Sequence, residues 1–287
     1  MRVSVDRGGT FTDCVALDLA AGRVWHTKIR SGEDAVIRGL AALRELACLH
    51  IQELRLGTTV ATNALLERGG SSVALVTTEG FTDLLRIRDQ RRPDLFRLDA
   101  TRRAPLTDLT LGVPRGVAWA EGALRRRLMA WRERGVSALA VALLFAHRDP
   151  EAELRVERIA REAGFDEISL SHRLSSRPGL LARAETCVLD AYLSPVLSRH
   201  LAQLDARLGG VPLTVMTSAG ILVQPARVRG VDALLSGPAG GVVGVHALAN
   251  THQLGEVVGL DMGGTSTDVC RVEGELPLVR EAEVDKH

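Results

Sequence analysis

Cysteine is scarce in this sequence, and its four copies are widely separated. Cys14, Cys48, Cys187 and Cys270 form no C-x-x-C pair, which argues against a disulfide framework and a zinc knuckle. An iron–sulfur cluster also needs closely placed cysteines, so a cluster-bearing ATPase is disfavoured as well. The cysteine pattern indicates a reducing compartment, and we expect a cytoplasmic protein.

Several other catalytic signatures are missing. The eight histidines include no H-x-x-x-H pair, so none is assigned to a metal or to base chemistry. The chain also has no G-x-S-x-G and no G-x-x-x-x-G-K-[ST] motif, the marks of a serine hydrolase elbow and of a P-loop. Neither chemistry is supported.

Charge of one sign is not concentrated anywhere. The formal net charge is +1, and the arginines are spread along the chain among acidic residues, so a dedicated nucleic-acid binder is not expected. The tightest basic run, at 125–127, falls in a segment with helical periodicity and is interpreted as a solvated helix face. No charged and apolar leader opens the chain, and no apolar run reaches membrane-spanning length, so no membrane association is expected.

What the sequence does contain is one octet that occurs twice. Each copy follows a short apolar run and leads into another, which is the pattern of strand, tight turn and strand. A lone Asp-x-Gly-Gly could be a simple hairpin turn, but two matching copies point to a nucleotide held between two related lobes. The copies are Asp6-Arg7-Gly8-Gly9-Thr10-Phe11-Thr12-Asp13 and Asp261-Met262-Gly263-Gly264-Thr265-Ser266-Thr267-Asp268.

The residues of these octets suit phosphate binding. Paired glycines allow positive φ and let a phosphate approach bare N–H groups, and threonine hydroxyls add donors. The candidates for phosphate contact are Gly8, Gly9, Thr10 and Thr12 in the first copy and Gly263, Gly264, Thr265 and Thr267 in the second. An aspartate at the strand end supplies a hard oxygen for magnesium, and Asp6 and Asp261 are the candidates.

Alternating strand-like and helix-like segments predict an α/β protein. Strands are predicted at Val3–Asp6, Asp13–Asp18, Arg23–Ile29, Leu54–Leu56, Ser72–Val76, Ala138–Phe145 and Leu213–Met216. Helices are predicted at Asp34–Leu49, from Thr58, at Glu151–Ala163 and at Ala184–Leu208, the last broken or bent near Pro195. The stretch from Ile87 to Pro114 is predicted to be a loop-rich excursion at the mouth of a site.

Two further segments have a functional and a structural interpretation. Thr58 and Thr59 lie at a predicted strand-to-helix junction, where hydroxyls and free N–H groups form an anion site. Alternatively, Thr58 is only a helix cap and Asn63 a residue on the helix face. Ser236–Gly241 is either a phosphate-facing turn or a close helix contact.

The loops resemble those of the actin, sugar-kinase and Hsp70 superfamily, and the surrounding sequence resembles the hydantoinase A and 5-oxoprolinase family. Leu56–Arg68 resembles the second hallmark of that family, Gln90 with Arg92-Pro93-Asp94-Leu95 resembles the third, and Leu235–Gly244 resembles the segment ahead of the second loop. Together the motifs cover the chain from Met1 to about Val272.

The resemblance implies an α/β fold of ribonuclease H-like, actin-like ATPase lobes with mixed sheets and a truncated second lobe. It implies an N-terminal domain over 1–180 and the start of the main domain over 181–287. It also implies ATP and magnesium as cofactors, a small cyclic amide as substrate, a hydantoinase B-type subunit as partner, and an oligomer. Because superfamily members use the glycine helix for packing, the structural interpretation of Ser236–Gly241 is favoured.

The implied reaction is ATP-dependent opening of a hydantoin or 5-oxoproline ring, with phosphoryl transfer to the amide oxygen as the activating step. The resemblance implies that Asp6 and Asp261 position magnesium and that Gly8–Thr10, Gly263–Thr265 and Thr58-Thr59 bind phosphate. It implies that Asp13 or Asp268 orients water or acts as a base. The implied substrate contacts are Asn63, Arg92 and Asp94.

Two departures from the family leave alternatives open. Leu180-Leu181-Ala182 stands where the family usually has acidic residues before the arginine that is Arg183 here, and the family's large subunit continues well beyond His287. One alternative is a truncated, non-catalytic fragment or assembly module. Another is an acetone-carboxylase-like protein, or another ATPase or kinase with the same fold.

Overall fold

A computed structural model describes residues 1–47, 50–91, 96, 104–115, 119–264 and 267–276. Contacts divide them into two compact units. The first unit comprises Met1–Arg68 and the described residues from Leu197 onward, and the second comprises the described residues of Gly69–Val196. No helix among the described residues is long and apolar enough to cross a membrane.

The secondary structure alternates along the chain. The strands are β1 (Arg2–Arg7), β2 (Phe11–Asp18), β3 (Arg23–Arg30), β4 (Glu53–Thr58), β5 (Val73–Thr78), β6 (Thr110–Val113), β7 (Ala138–Ala142), β8 (Glu167–Leu170), β9 (Leu213–Met216), β10 (Leu222–Val223), β11 (Glu256–Met262) and β12 (Thr267–Glu273). The α-helices are α1 (Ala35–Ala47), α2 (Val60–Leu66), α3 (Leu84–Ile87), α4 (Glu121–Glu133), α5 (Glu151–Glu162), α6 (Ser171–Leu174), α7 (Leu180–Leu208) and α8 (Ser236–Thr251).

The first unit is built on a mixed sheet with the strand order β10-β9-β4-β1-β2-β3. Strand β1 pairs antiparallel with β2 and parallel with β4. Its side chains alternate, so Val3 and Val5 are buried on one face while Asp6 stays exposed on the other. Helix α1 packs closely on this sheet at Gly39, where a β carbon would collide with the Cys14 sulfur.

The second octet forms a separate two-stranded sheet, in which β11 and β12 pair antiparallel. Helix α8 packs against β11 at Gly259, where a β carbon would lie 2.6 Å from a Val245 methyl and 2.7 Å from the Cys270 sulfur. Only glycine allows this close approach of helix to strand.

The second unit has a fully parallel sheet with the order β6-β5-β7-β8. All residues of β5 and β7 are buried, as expected for a parallel sheet that is covered on both faces. Helices α4 and α5 contribute Leu128, Trp131 and Val156 to the core of this unit.

A charged side chain is also buried in this unit. The Glu153 carboxylate is fully buried and accepts hydrogen bonds from the Leu143 N–H at 2.8 Å, from the Ser171 hydroxyl at 2.6 Å, and from the His172 N–H at 3.1 Å. The His172 Nδ1 atom lies 2.6 Å from the same carboxylate. The Arg183 guanidinium donates to the Leu143 carbonyl at 2.9 Å and to the Ser171 hydroxyl. This network joins the end of β7 to α5, α6 and α7.

The α/β class with mixed and parallel sheets is confirmed, but three predicted elements differ from the structure. Helix α7 begins at Leu180 rather than Ala184 and continues without a break through Pro195, with Leu193 and Leu197 buried on either side of it. Strand β7 ends at Ala142 because the chain then turns, with Phe145 at a φ of +64°. The Ile87–Pro114 excursion contains β6, which pairs with β5.

Candidate nucleotide and phosphate site

The first octet forms a tight hairpin turn between β1 and β2, as predicted. Asp6 and Asp13 face each other in the strand register, and the Gly8 N–H donates to the Phe11 carbonyl at 3.1 Å. A β carbon on Gly8 would also lie 3.0 Å from that carbonyl oxygen. Glycine therefore keeps the turn tight and its backbone open on the outer side.

Ser31 supports this turn through hydrogen bonds to Gly8, Thr10 and Thr12, which we call the Ser31 brace. The sequence analysis missed this role. Its N–H donates to the Thr10 carbonyl at 2.9 Å, and its hydroxyl donates to the Gly8 carbonyl at 2.8 Å. The buried Thr12 hydroxyl lies 2.9 Å from the same Ser31 oxygen. Thr12 was predicted to contact a phosphate; in this structure its hydroxyl lies within hydrogen-bond distance of Ser31. Ser31 directly follows β3, and no motif marks it in the sequence.

The second octet repeats the arrangement. Asp261 faces Asp268 in the register of β11 and β12, and Met262 faces Thr267. Thr265 lies outside the described residues. Gly264 lies beside the first loop, because a β carbon there would be 3.0 Å from the Thr10 hydroxyl oxygen and 3.1 Å from its β carbon. The two glycine turns are therefore in contact.

The carboxylates of both octets influence one another. Asp6 is exposed at the surface, yet packed protein atoms raise its pKa, and the negative charges of Asp13 and then Asp261 raise it further. Lys28 acts in the opposite direction. The carboxylates of the two loops thus lie close enough to repel one another, and a cation among them would be stabilised.

Lys28 supplies a positive charge to this face of the sheet. It lies opposite Asp13 in the register of β2 and β3, and its ammonium donates to both Asp13 carboxylate oxygens, at 2.8 Å and 3.0 Å. The same ammonium is 5.5 Å from the centre of the Phe11 ring. No sequence motif marks Lys28, and the strand register is what places it here.

Arg7 occupies the other face of β1. One of its guanidinium nitrogens lies 3.2 Å from the Nε2 atom of His200 on α7. Burial, and then the Arg7 cation, lower the pKa of His200 to about 4. His200 is therefore neutral near pH 7 and accepts the hydrogen bond from Arg7, which ties α7 to the first loop.

The junction of β4 and α2 lies directly beside Asp6. A β carbon on Gly57 would be 3.0 Å from the Asp6 Oδ1 atom. The helix begins at Val60 rather than at Thr58, which is the buried last residue of β4. The prediction of Thr58 as the opening of the helix was therefore wrong, because its backbone still pairs with β1 in the sheet.

Two side chains at this junction make contacts within the protein. The Thr59 hydroxyl donates to the Arg7 carbonyl at 3.1 Å, and the Asn63 amide lies 3.5 Å from the Thr59 hydroxyl. The junction therefore supports the first loop from the side. Arg92 and Asp94, predicted to contact the substrate, lie outside the described residues.

The glycine-rich helix α8 packs beside both the first sheet and the second hairpin. Ser236 is buried, and its hydroxyl donates to the Thr58 carbonyl at 3.3 Å. Between α8 and the second hairpin lies a pocket of about 150 Å³ with mainly apolar walls, lined in part by Val242, Val245, Leu260 and Val269, with Asp261 and Asp268 beside them. These contacts agree with the structural interpretation of this segment.

The described part of the chain contains no metal site formed by protein side chains alone, since no three His, Cys, Asp or Glu side chains converge there. Magnesium does not require one, since it usually takes one or two carboxylates together with waters and phosphate oxygens. Asp6 and Asp261 are close enough that the charge of Asp261 raises the pKa of Asp6. These two carboxylates therefore fit the ligand set that magnesium prefers.

Two family models match the chain. The hydantoinase/oxoprolinase N-terminal region matches residues 2–164, and the hydantoinase/oxoprolinase model matches residues 183–287. The chain belongs to the hydantoinase/oxoprolinase family. Among its relatives, 5-oxoprolinase 1 of Arabidopsis thaliana is 35% identical over 99% of this chain. The caprolactamase subunit alpha of Pseudomonas jessenii is 33% identical over 95% of this chain.

Solved structures agree with this assignment. The ATP-dependent caprolactamase from Pseudomonas jessenii superposes with a TM-score of 0.82 at 30% identity, over 96% of this chain and 44% of that one. A nucleotide-free acetone carboxylase superposes with a TM-score of 0.81 at 22% identity, over 95% of this chain and 44% of that one, and shares the fold. The chain spans 26% of the length of the Arabidopsis 5-oxoprolinase and 43% of the caprolactamase subunit.

Proposed function

We propose that the two glycine turns hold the phosphates of ATP, and that the chain is part of an ATP-dependent hydrolase that opens a cyclic amide of the hydantoin or 5-oxoproline type. The observation that carries the proposal is the contact between Gly264 and Thr10. It brings two copies of the same sequence pattern together, and N–H groups of both turns would then border one phosphate-binding space. The name of the caprolactamase relative, which is ATP-dependent, supports the choice of nucleotide.

We assign the residues of the two turns different roles according to the chemistry of their donor and acceptor groups. The N–H groups of Gly9, Gly263 and Gly264 and the Thr10 hydroxyl would contact phosphate oxygens, with Gly8 beside them, since its own N–H donates to the Phe11 carbonyl. Asp6 and Asp261 would hold magnesium through carboxylate oxygens. Thr265 and Thr267 are proposed to add hydroxyl donors on the second turn, and Thr58-Thr59 would lie at the end phosphate.

Bound ATP would supply the phosphoryl group that turns the ring amide into a better electrophile for water. The protein contributes orientation and proton transfer. Asp13 or Asp268 would orient the water or accept its proton; in this structure Asp13 is paired with Lys28. Asn63, Arg92 and Asp94 remain the proposed substrate contacts.

Partners and location are further parts of the proposal. We propose a hydantoinase B-type subunit as the partner, an oligomeric assembly and a cytoplasmic location; the caprolactamase relative is itself named as an alpha subunit. The domain division at 1–180 and 181–287 is likewise proposed. A non-catalytic assembly module is the second candidate.

Calorimetric titration with magnesium ADP and magnesium ATP tests the proposal. Binding by the unaltered chain that Asp6→Ala removes and Asp205→Ala retains would support it, since Asp205 is an exposed carboxylate on α7. Hydrolysis of ATP that increases with 5-oxoproline, a hydantoin or caprolactam, with a B-type subunit present, would identify the substrate class. Absence of nucleotide binding would favour the assembly module.

A further inference from the structure

Lys28 is the cation that lies at the carboxylates of the first loop. Its ammonium is bonded to both oxygens of Asp13 and lies on the side of the turn formed by Phe11. Both members of the pair remain accessible, with 57% of the Lys28 side chain and 48% of the Asp13 side chain exposed. An exposed ion pair of this kind contributes little to folding stability, so it can be rearranged at low cost.

Four carboxylates lie at the two turns, and Arg7, the basic residue of the first octet, lies on the other face of β1. Asp6, Asp13, Asp261 and Asp268 lie at the two strand ends, and Lys28 is the one cation that forms an ion pair with any of them among the described residues. Incoming phosphates would meet these carboxylates. A nucleotide site here therefore needs positive charge from the protein in addition to that of a metal ion.

The choice of lysine is itself informative. Of the 36 basic residues in the sequence, Lys28 and Lys286 are the lysines and the rest are arginines. Arginine would form a rigid bidentate pair with Asp13, whereas the lysine ammonium is a compact charge on a flexible stem and can move between acceptors. A lysine at this position suits an exchange of partners.

We propose that Lys28 is a phosphate contact of the nucleotide site, and that its ammonium leaves Asp13 for a phosphate oxygen when the nucleotide binds. The inference rests on the proposed function, because it requires phosphates at the glycine turns. In the nucleotide-bound protein the Asp13 carboxylate is then released to accept a hydrogen bond from water. Before nucleotide binds, the Lys28 ammonium therefore neutralises the Asp13 carboxylate.

The small number of lysines makes a direct test possible. Labelling lysine with ¹³C and ¹⁵N at its ε position gives one NMR signal from Lys28 and one from Lys286, and Lys286→Arg assigns them. Magnesium ADP and a magnesium complex of a non-hydrolysable ATP analogue are titrated separately. We expect the Lys28 signal to shift on binding, more strongly with the triphosphate, while the Lys286 signal stays in place.

Affinity measurements provide the second readout. A charged hydrogen bond to phosphate predicts that Lys28→Met weakens binding of the triphosphate by about 10- to 100-fold, with a smaller loss in Lys28→Arg. Arg23→Met is the matched control, since Arg23 is an exposed basic residue at the other end of β3. Its affinity should equal that of the unaltered chain.

The outcomes separate this inference from the proposed function. If the unaltered chain binds nucleotide but Lys28→Met retains full affinity and the Lys28 signal does not shift, the role of Lys28 is refuted while the nucleotide site stands. If the unaltered chain binds no nucleotide, the proposed function fails and the inference fails with it. A shift of the Lys28 signal together with the loss of affinity supports both.

Discussion

Gly264 lies against Thr10, so that two turns separated by most of the chain come into contact. A β carbon on Gly264 would be 3.0 Å from the Thr10 hydroxyl oxygen and 3.1 Å from its β carbon. These distances are shorter than an ordinary van der Waals contact. Glycine at position 264 allows this close approach, and a larger residue there would have to displace the Thr10 side chain.

Gly264→Ala should therefore separate the two turns. We expect nucleotide affinity to fall by at least about tenfold, because an added methyl group forces one turn to shift and misplaces its donors. Calorimetric titration with magnesium ATP measures the loss. Gly255→Ala is the control, since nothing lies within 4 Å of a β carbon at Gly255; equal affinities for the two variants would refute a role for the contact.

Ser31 makes a second prediction possible. Ser31→Ala removes the hydroxyl that bonds to the Gly8 carbonyl and to Thr12, and it leaves the buried Thr12 hydroxyl without that partner. The free energy of unfolding should fall by about 1–3 kcal/mol. Urea denaturation measures this change, with Ser4→Ala on the exposed face of β1 as the control. A loss no larger than that of Ser4→Ala would show that the brace is unimportant.

His200 predicts a dependence of stability on pH. Its pKa is lowered from 6.5 to about 4 by burial and by Arg7, so the unfolded chain binds a proton at this site in a range where the folded chain does not. Stability contributed by neutral His200 is therefore full above pH 6.5 and is lost as the pH falls from about 6.5 to about 4.

His200→Gln tests this dependence, because glutamine can still accept a bond from Arg7 but does not titrate. Thermal melts between pH 4 and pH 7 should show a shallower loss of stability on acidification in the variant than in the unaltered chain. Identical pH profiles would mean that His200 is not held neutral by its surroundings.

The buried Glu153 gives a prediction for the second unit. Glu153→Ala leaves Arg183 and the Leu143 N–H without their carboxylate neighbour, and removal of one partner of a buried charged network typically costs about 3–5 kcal/mol. Glu162→Ala, which removes an exposed ion pair from the same helix, should cost about 1 kcal/mol or less. Similar urea midpoints for the two variants would contradict the structural importance of the network.

Much of the site could be predicted because its parts are local in sequence. Each octet carries its own strand, turn and strand, so the pairing of Asp6 with Asp13 and of Asp261 with Asp268 follows from the pattern alone. The close approach of the two turns followed from their duplication. The family resemblance came from the octets together with Leu56–Arg68, the segment from Gln90 to Leu95, and Leu235–Gly244.

The missed residues are those that long-range pairing brings to the site. Lys28 reaches Asp13 because of the register between β2 and β3, and Ser31 reaches the first turn after that strand ends. His200 comes from α7, far along the chain. None has a local signature, since a lysine, a serine and a histidine of this kind are common on any surface. Thr58 was misplaced for the related reason that sheet pairing extended β4 beyond its apolar run.

The central claim is that the duplicated turns form one nucleotide site, and its most direct test is calorimetric titration of the chain with magnesium ATP. The account predicts saturable binding with one nucleotide per chain, lost in Asp6→Ala and in Asp261→Ala and retained in Asp205→Ala. Binding that both loop variants retain would contradict the account, as would the absence of any binding to the unaltered chain.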